Sequence, residues 1–222
     1  MTVTEGYYSF LRDEIRPLLP PVRGARVLEI GCGAGETAAW LKATGVAGFV
    51  LGLEIEPRVA EEARRKLDEV IVGNAETADF GERRFDLILC LDVLEHMVDP
   101  WGFLERVQKH LDTGGTVIAS IPNLRNYRVL RSLVLKGRFD YQDGGILDRT
   151  HLRFFTRSSA CRLMETGRLR LRTVIGKEMQ KTMQKRRYRW IDRLTFGRLH
   201  DFFVYQFLIA STVDLPPGGE KG

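Results

Sequence analysis

An apolar run that ends in glycine at every second position constrains this chain more than any other feature. Val27-Leu28-Glu29-Ile30 leads into Gly31-Cys32-Gly33-Ala34-Gly35, and a helical pattern follows from Glu36 to Ala43. Glycine lets the backbone turn sharply and leaves no Cβ between main chain and ligand. The helix that begins there points its free N–H groups at the turn, which favours an anion. Strand, glycine turn and helix in that order make the opening of a parallel α/β sheet.

The remaining pattern agrees. Strands are expected at Phe49 to Ile55, Glu69 to Val72, Phe85 to Leu91 and Thr116 to Ile121, with helices at Val59 to Leu67 and Pro100 to Leu111. Phe85 to Leu91 is continuously apolar, as a strand buried on both faces must be. Before the first strand, Tyr7 to Leu19 spaces Tyr7, Phe10, Leu11, Ile15, Leu18 and Leu19 as an amphipathic helix that Pro20-Pro21 ends. Beyond Pro122 the alternation loosens. Asn126 to Lys136 and Thr156 to Thr166 read as helices, with Thr156 or Ser158 capping the second, and Gly137 to Arg149 as a loop. Leu169 to Ile175 and Phe202 to Ala210 read as closing strands, and the tail at Pro216-Pro217-Gly218-Gly219 as frayed. The 222 residues suit a single domain, with residues 1–24 as a lid and 122–168 and 176–201 as additions on the substrate side.

Composition narrows the setting. No apolar run is long enough to span a bilayer, and Met1 to Glu5 carries no basic segment before an apolar one. Cys32, Cys90 and Cys161 lie far apart without metal or disulfide spacing, so reduced thiols and a cytoplasmic location are expected. The net charge of +5 is uneven. Lys177, Lys181, Lys185, Arg186, Arg187, Arg189, Arg193 and Arg198 face only Glu178 and Asp192 in one stretch. That stretch suits RNA, anionic lipid or a phosphorylated substrate, or serves as a solvated face.

Three further positions give the glycine turn a chemical meaning. Glu54 ends the second strand, 19 residues after Gly35, where a carboxylate accepts hydrogen bonds from ribose hydroxyls. Asn74, in Gly73-Asn74-Ala75-Glu76 after the third strand, offers an amide to an adenine edge. Glu36 takes the place of the last glycine of the dinucleotide pattern G-x-G-x-x-G, where a carboxylate would repel a pyrophosphate. A nicotinamide oxidoreductase is thereby disfavoured.

Together these residues resemble the class I S-adenosylmethionine-dependent methyltransferases. Val27 to Gly35, Gly52-Leu53-Glu54-Ile55 and Gly73-Asn74-Ala75-Glu76 are similar to that family's methionine, ribose and adenine motifs. Phe85 to His96, with Asp92-Val93-Leu94-Glu95-His96, is similar to its fourth-strand block, and Leu111 to Thr116 to the turn before its fifth strand. Asn74 departs from the commoner aspartate. The resemblance implies a Rossmann-like, seven-stranded, mostly parallel sheet with helices on both faces and an antiparallel C-terminal hairpin. It implies S-adenosylmethionine as cofactor, S-adenosylhomocysteine as product, and a binding set of Glu29, Gly31, Cys32, Gly33, Gly35, Glu54, Ile55, Asn74, Ala75 and Leu91.

Within the family the fourth-strand block resembles ubiquinone-pathway O-methyltransferases. That implies methyl transfer to a small-molecule acceptor, with a hydroxyl oxygen preferred. Arg149 to Thr156 is similar to a segment of bacterial methyltransferases of glycan and secondary-metabolite genes. His151 is the expected general base, Asp148 its orienter and His96 the second candidate. Glu95 and His96 show no complete metal-ligand set, so no metal is expected. Tyr7, Tyr8 and Arg12 are candidates to touch the methionine end or the substrate, and Tyr127, Phe139, Tyr141, Phe154 and Phe155 to line an acceptor pocket or pack the core. An RNA or protein methyltransferase using residues 177–198, and a cofactor-binding module without catalysis, are the alternatives.

Overall fold

A computed structural model describes residues 9–178 and 199–214. Seven strands form one sheet: β1 (Ala25–Ile30), β2 (Ala47–Glu54), β3 (Glu69–Val72), β4 (Phe85–Leu91), β5 (Leu111–Pro122), β6 (Leu169–Glu178) and β7 (Val204–Val213). Their order is β3-β2-β1-β4-β5-β7-β6. The first five strands run parallel, and β7 lies antiparallel to both β5 and β6. Among the described residues, the α-helices are α1 (Glu36–Ala43), α2 (Pro57–Ala63), α3 (Pro100–Val107), α4 (Tyr127–Lys136) and α5 (Arg157–Leu163).

The apolar strands explain the layering. β4 is buried from Leu87 to Cys90 because both of its faces are covered. One core gathers Leu28, Ile88, Phe103, Leu104, Ala160 and Leu163 against α3 and α5. The other gathers Val27, Ala38, Leu41, Leu87 and Leu89 against α1 and the N-terminal segment. Side chains that alternate along β1 and β4 therefore feed opposite layers.

Helix ends follow local chemistry. Pro57 and Pro100 open α2 and α3, whose caps are the side chains of Glu56 and Asp99. Thr156 caps α5 in a reciprocal box with Ser159. Expected helices at Val59 to Leu67 and Pro100 to Leu111 stop early, the second passing into a 3-10 turn at Gln108–His110.

The N-terminal segment differs most from expectation. Among the described residues it holds a 3-10 helix at Asp13–Leu18, in place of an α-helix from Tyr7 to Leu19. Pro17 lies inside it and has no N–H to bond, and the three-residue period puts Ile15 and Leu18 on the buried side. Phe10, expected on the apolar face, is 67% exposed. Tyr7, Tyr8, most of the basic stretch and the Pro216–Gly219 tail lie outside the described residues. Among the described residues, no helix is long and apolar enough to cross a membrane.

Leu89 is fully buried on β4, at the centre of the sheet. Leu89→Ala should lower unfolding free energy by about 3 kcal/mol with an unchanged urea slope, the ordinary cost of a core cavity. A loss below about 1 kcal/mol in urea titration would contradict this layering.

Candidate active site

The order of strands reverses between β1 and β4, so α1 leaves in one direction and the loop after β4 in the other. The carboxyl ends of β1, β2, β3, β4 and β5 therefore border one crevice. The glycine turn lies at its centre. Gly31, Gly33 and Gly35 have φ of 66°, 54° and 82°, the left-handed region that glycine occupies without strain. A Cβ on Gly31 would come within 2.8 Å of Val93 Cγ2, so the turn is also closely packed against the loop after β4.

Glu54 closes this side of the crevice. It is buried, and its Oε2 accepts from Gly33 N–H at 2.9 Å while its Oε1 accepts from Glu56 N–H at 2.9 Å. Each oxygen keeps a second acceptor site for a ligand hydroxyl. Ile55 follows at the rim, 65% exposed. At the end of β3, Asn74 spends its side-chain oxygen on Glu76 N–H at 2.8 Å, which leaves its NH2 group as donor. Ala75 is half-buried beside it, and Leu91 is buried at the end of β4. Glu76 accepts from the N–H groups of Val98 and Asp99 and so ties the β3 end to the loop before α3.

Two carboxyl groups near the turn behave oppositely. Glu36 pairs with Lys66 at 2.6 Å, and Lys66 also bonds Ala34 O at 2.8 Å. The carboxylate expected to repel a pyrophosphate is thus neutralised by a lysine that sequence spacing does not reveal. Glu29 is fully buried, and its Oε2 has no partner among the described residues. Burial pushes its carboxyl up to about 8, despite a hydrogen bond from Ala38 N–H. Cys32 is buried against the same wall, and burial with the Glu29 and Glu54 charges pushes its thiol up.

Arg12 is the centre of a network that patterning does not show. Its guanidinium pairs with Asp92 and Glu14 and reaches Ser120 Oγ and Gln206 Oε1, each at 3.2 Å. Its backbone N–H donates to Thr37 Oγ1 at 3.2 Å. One residue so links the N-terminal segment, α1, β5, β7 and the loop after β4. Asp92 has φ 56°, and its oxygens also accept from Ser120 Oγ and Gln206 Nε2. Lys177, the first cation of the basic stretch, bonds Glu14 at 2.7 Å.

Beyond Asp92 the chain makes a short 3-10 turn, Leu94–His96. The backbone oxygen of Glu95 accepts from the N–H groups of Leu152 and Arg153 at 2.8 and 3.0 Å. This brings His151 to His96, with ring centroids 4.7 Å apart in an edge-to-face arrangement. His96 Nδ1 lies 3.2 Å from Thr150 O, and His151 Nδ1 lies 3.1 Å from Ile146 O. A carbonyl only accepts, so Nδ1 of each ring carries the proton and Nε2 of each neutral ring keeps its lone pair.

The expected pairing of Asp148 with His151 is corrected here. Asp148 Oδ1 accepts from Thr150 N–H at 2.8 Å and Thr150 Oγ1 at 2.6 Å, and Ile146 O holds His151 instead. Asp148 acts on His96, because it fixes the residue whose carbonyl holds that ring. A turn from Asp148 to His151 directs the carboxylate to the nearer Thr150 N–H, a local preference of aspartate.

Glu95 completes a group that the sequence did not close. It is buried, and neither carboxylate oxygen has a partner among the described residues. Ligand atoms of Glu95, His96 and His151 lie within 4.8 Å of one another. Burial, with the Asp92 charge second, raises the Glu95 carboxyl well above the usual range. Burial and then His151 lower His96. Two imidazoles held by carbonyls and an orphaned carboxylate fit a divalent cation. The missing signal was distance: His151 lies 55 residues from His96.

Phe154 contributes to the wall, 6.3 Å from the His151 ring, in an aromatic group with Phe139 and Tyr141. Phe155 is instead core, and Tyr127 packs on Phe203.

The orphaned Glu29 predicts a pH dependence. Its carboxyl sits higher in the folded chain than in the unfolded one, so the folded state holds the extra proton. Its contribution to stability is complete below about pH 4.5 and falls as pH rises toward 8. Without cofactor, Glu29→Gln should match the parent near pH 5 and exceed it by about 1 kcal/mol or more near pH 8. Parallel urea titrations at both pH values check this, and an equal difference at both would contradict it.

Comparison with known proteins bears on the same residues. The family description "Methyltransferase domain" matches residues 4–171. Aklanonic acid methyltransferase of a Streptomyces species (strain C5) is 36% identical over 113 residues, 47% of this chain and 51% of that protein. A ubiquinone biosynthesis O-methyltransferase of Alkalilimnicola ehrlichii is 30% identical over 146 residues, 59% of this chain and 58% of that protein. The chain thus spans a little over half the length of these curated relatives. A solved S-adenosylmethionine-dependent methyltransferase of Mesorhizobium loti shares the fold, with TM-score 0.62 and 20% identity over 90% of this chain and 95% of that one. Another, from Archaeoglobus fulgidus, has TM-score 0.64 and 17% identity over 90% and 91% of the two chains. With its glycine turn, the Glu54 carboxylate beside it and the fourth-strand block on this sheet, the chain belongs to the class I S-adenosylmethionine-dependent methyltransferase family.

Proposed function

We propose that this chain transfers the methyl group of S-adenosylmethionine to a hydroxyl oxygen of a small-molecule acceptor. The observation that carries the reading is the pair of imidazoles, His96 and His151, each with Nδ1 on a backbone carbonyl and Nε2 left basic, beside the end of β4. The relatives named for ubiquinone biosynthesis O-methylation and for aklanonic acid support a small acceptor. Gly31, Cys32, Gly33 and Gly35 would cradle the methionine end, with Glu29 receiving its ammonium. Glu54 and Ile55 would take the ribose, Asn74 and Ala75 the adenine, and Leu91 the wall beneath.

The chemistry is an in-line displacement at a sulfonium methyl. The acceptor oxygen forms a bond to the methyl carbon, and the S–CH3 bond breaks with its electron pair left on sulfur, giving S-adenosylhomocysteine. The hydroxyl proton passes to Nε2 of His151, or of His96. Aligning oxygen, methyl carbon and sulfur supplies much of the rate, and the base adds about 10²–10⁴-fold. Because His96 is lowered, it is unprotonated at neutral pH and loses activity only in the acid range.

A second reading of the same group follows from the unpartnered Glu95. Glu95, His96 and His151 would hold a divalent cation, which supplies a lowered hydroxyl pKa to a coordinated acceptor.

Glu54→Ala and Gly33→Val should abolish cofactor binding by calorimetry while the folded spectrum is kept; unchanged affinity would remove the assigned cofactor site. His151→Ala should lower kcat by about 10²-fold or more at unchanged cofactor affinity, read as S-adenosylhomocysteine formed in an acceptor screen. Turnover that survives exhaustive chelation selects the base alone, whereas loss restored by one divalent ion selects the cation.

A further inference from the structure

Helix α4 carries an apolar stripe that, among the described residues, is covered over only half its length. At helical spacing Val129, Leu130, Leu133 and Val134 share one face. Val129 is buried and Leu130 half-buried, whereas Leu133 is 43% and Val134 75% exposed. Leu135, on the neighbouring arc, is also 75% exposed. The base of the helix is firmly held. Asn126 caps it, and the side chains of Asn123 and Asn126 both donate to Val204 O, at 2.9 and 3.0 Å. Its far end is closed by Gly137 in a left-handed turn.

Charge says what such a stripe would meet. Arg128, Arg131, Lys136 and Arg138 are exposed, and no acidic residue occurs from 123 to 139. Among the described residues none of these four forms an ion pair. The basic stretch of residues 179–198, with seven cations against Asp192, rejoins the described chain at Leu199. The 3-10 turn that follows, His200–Phe202, lies directly against the base of α4: Arg125 stacks on Phe202 at 4.5 Å and pairs with Asp201. The described turn that follows the basic stretch in sequence thus lies beside the base of α4.

We propose that α4 docks this protein on an anionic lipid bilayer. The arginines and lysine would meet lipid phosphates while Leu133, Val134 and Leu135 enter the boundary between headgroups and acyl chains, as an interfacial helix does. RNA would satisfy the cations and leave the three apolar side chains in water, which favours lipid. The inference rests on the helix surface and on charge, and stands independently of the proposed acceptor.

The test uses the whole chain and sedimentation with vesicles. Phosphatidylcholine vesicles carrying about one-third phosphatidylglycerol should bring the protein down, and pure phosphatidylcholine vesicles should not. Raising salt from about 0.05 to 0.5 M should weaken binding about tenfold. The double variant Leu133→Glu, Val134→Glu should weaken it at least about tenfold, with cofactor affinity and thermal midpoint kept. Arg131→Glu with Lys136→Glu should act in the same direction through charge alone. Absence of binding to the anionic vesicles overturns the proposal. So does vesicle binding that the apolar variant leaves unchanged, or a stripe occupied by a second copy or by residues 179–198. Self-association lost in the apolar variant reports the second copy, and a lowered midpoint without vesicle binding reports the chain's own segment. Tighter binding to an RNA oligonucleotide than to vesicles at equal salt also overturns it.

Discussion

The reversal of strand order between β1 and β4 is the constraint on which the site depends. Adjacent parallel strands whose crossovers pass to opposite faces leave a crevice between their outgoing loops. The glycine turn occupies one wall of it and the Asp92 to His96 loop the other. The walls are tied at several points: Val93 packs against Gly31, Glu54 bonds the Gly33 amide, and Arg12 grips Asp92 while its own backbone bonds Thr37. These contacts hold the two walls of the crevice to one another.

Charge is distributed unevenly across that frame. Salt bridges satisfy Glu36 and Glu14, and backbone amides satisfy Glu54. Glu29 and Glu95 are different, since each is buried with at least one oxygen unpartnered. An unpaired buried carboxylate costs free energy, which the fold tolerates by keeping the proton. Both lie where a positively charged group would relieve that cost: Glu29 beside the start of α1, and Glu95 beside the two imidazoles. Such unsatisfied groups cluster at working sites, because folding alone gives no reason to keep them.

Legibility was greatest where chemistry is local. β3 and β4 follow their expected limits, because a run of β-branched and aliphatic residues between turn signals defines a buried strand. The cap of α5 was narrowed to Thr156 or Ser158 for the same reason, and Thr156 takes it. The N-terminal helix was not, since apolar spacing resembled an α-helix and Pro17, within a short 3-10 turn, decided against it. Lys66 neutralising Glu36, Ile146 holding His151, and Asp148 steering His96 through Thr150 were also hidden, as each depends on where a side chain's nearest partner lies in space.

By itself, the sequence determined the family, the parallel sheet, and the glycine turn with the carboxylate that ends the second strand, all of which are written in short contiguous motifs. Only the tertiary structure decided that Arg12 clamps Asp92, and that Glu95, His96 and His151 form one group. It also decided that, among the described residues, half of the apolar stripe of α4 is left exposed. The physical reason is range. Backbone turns and strand burial follow from neighbours a few residues apart, while a buried charge, the partner of an imidazole and an exposed face depend on residues that only folding brings together.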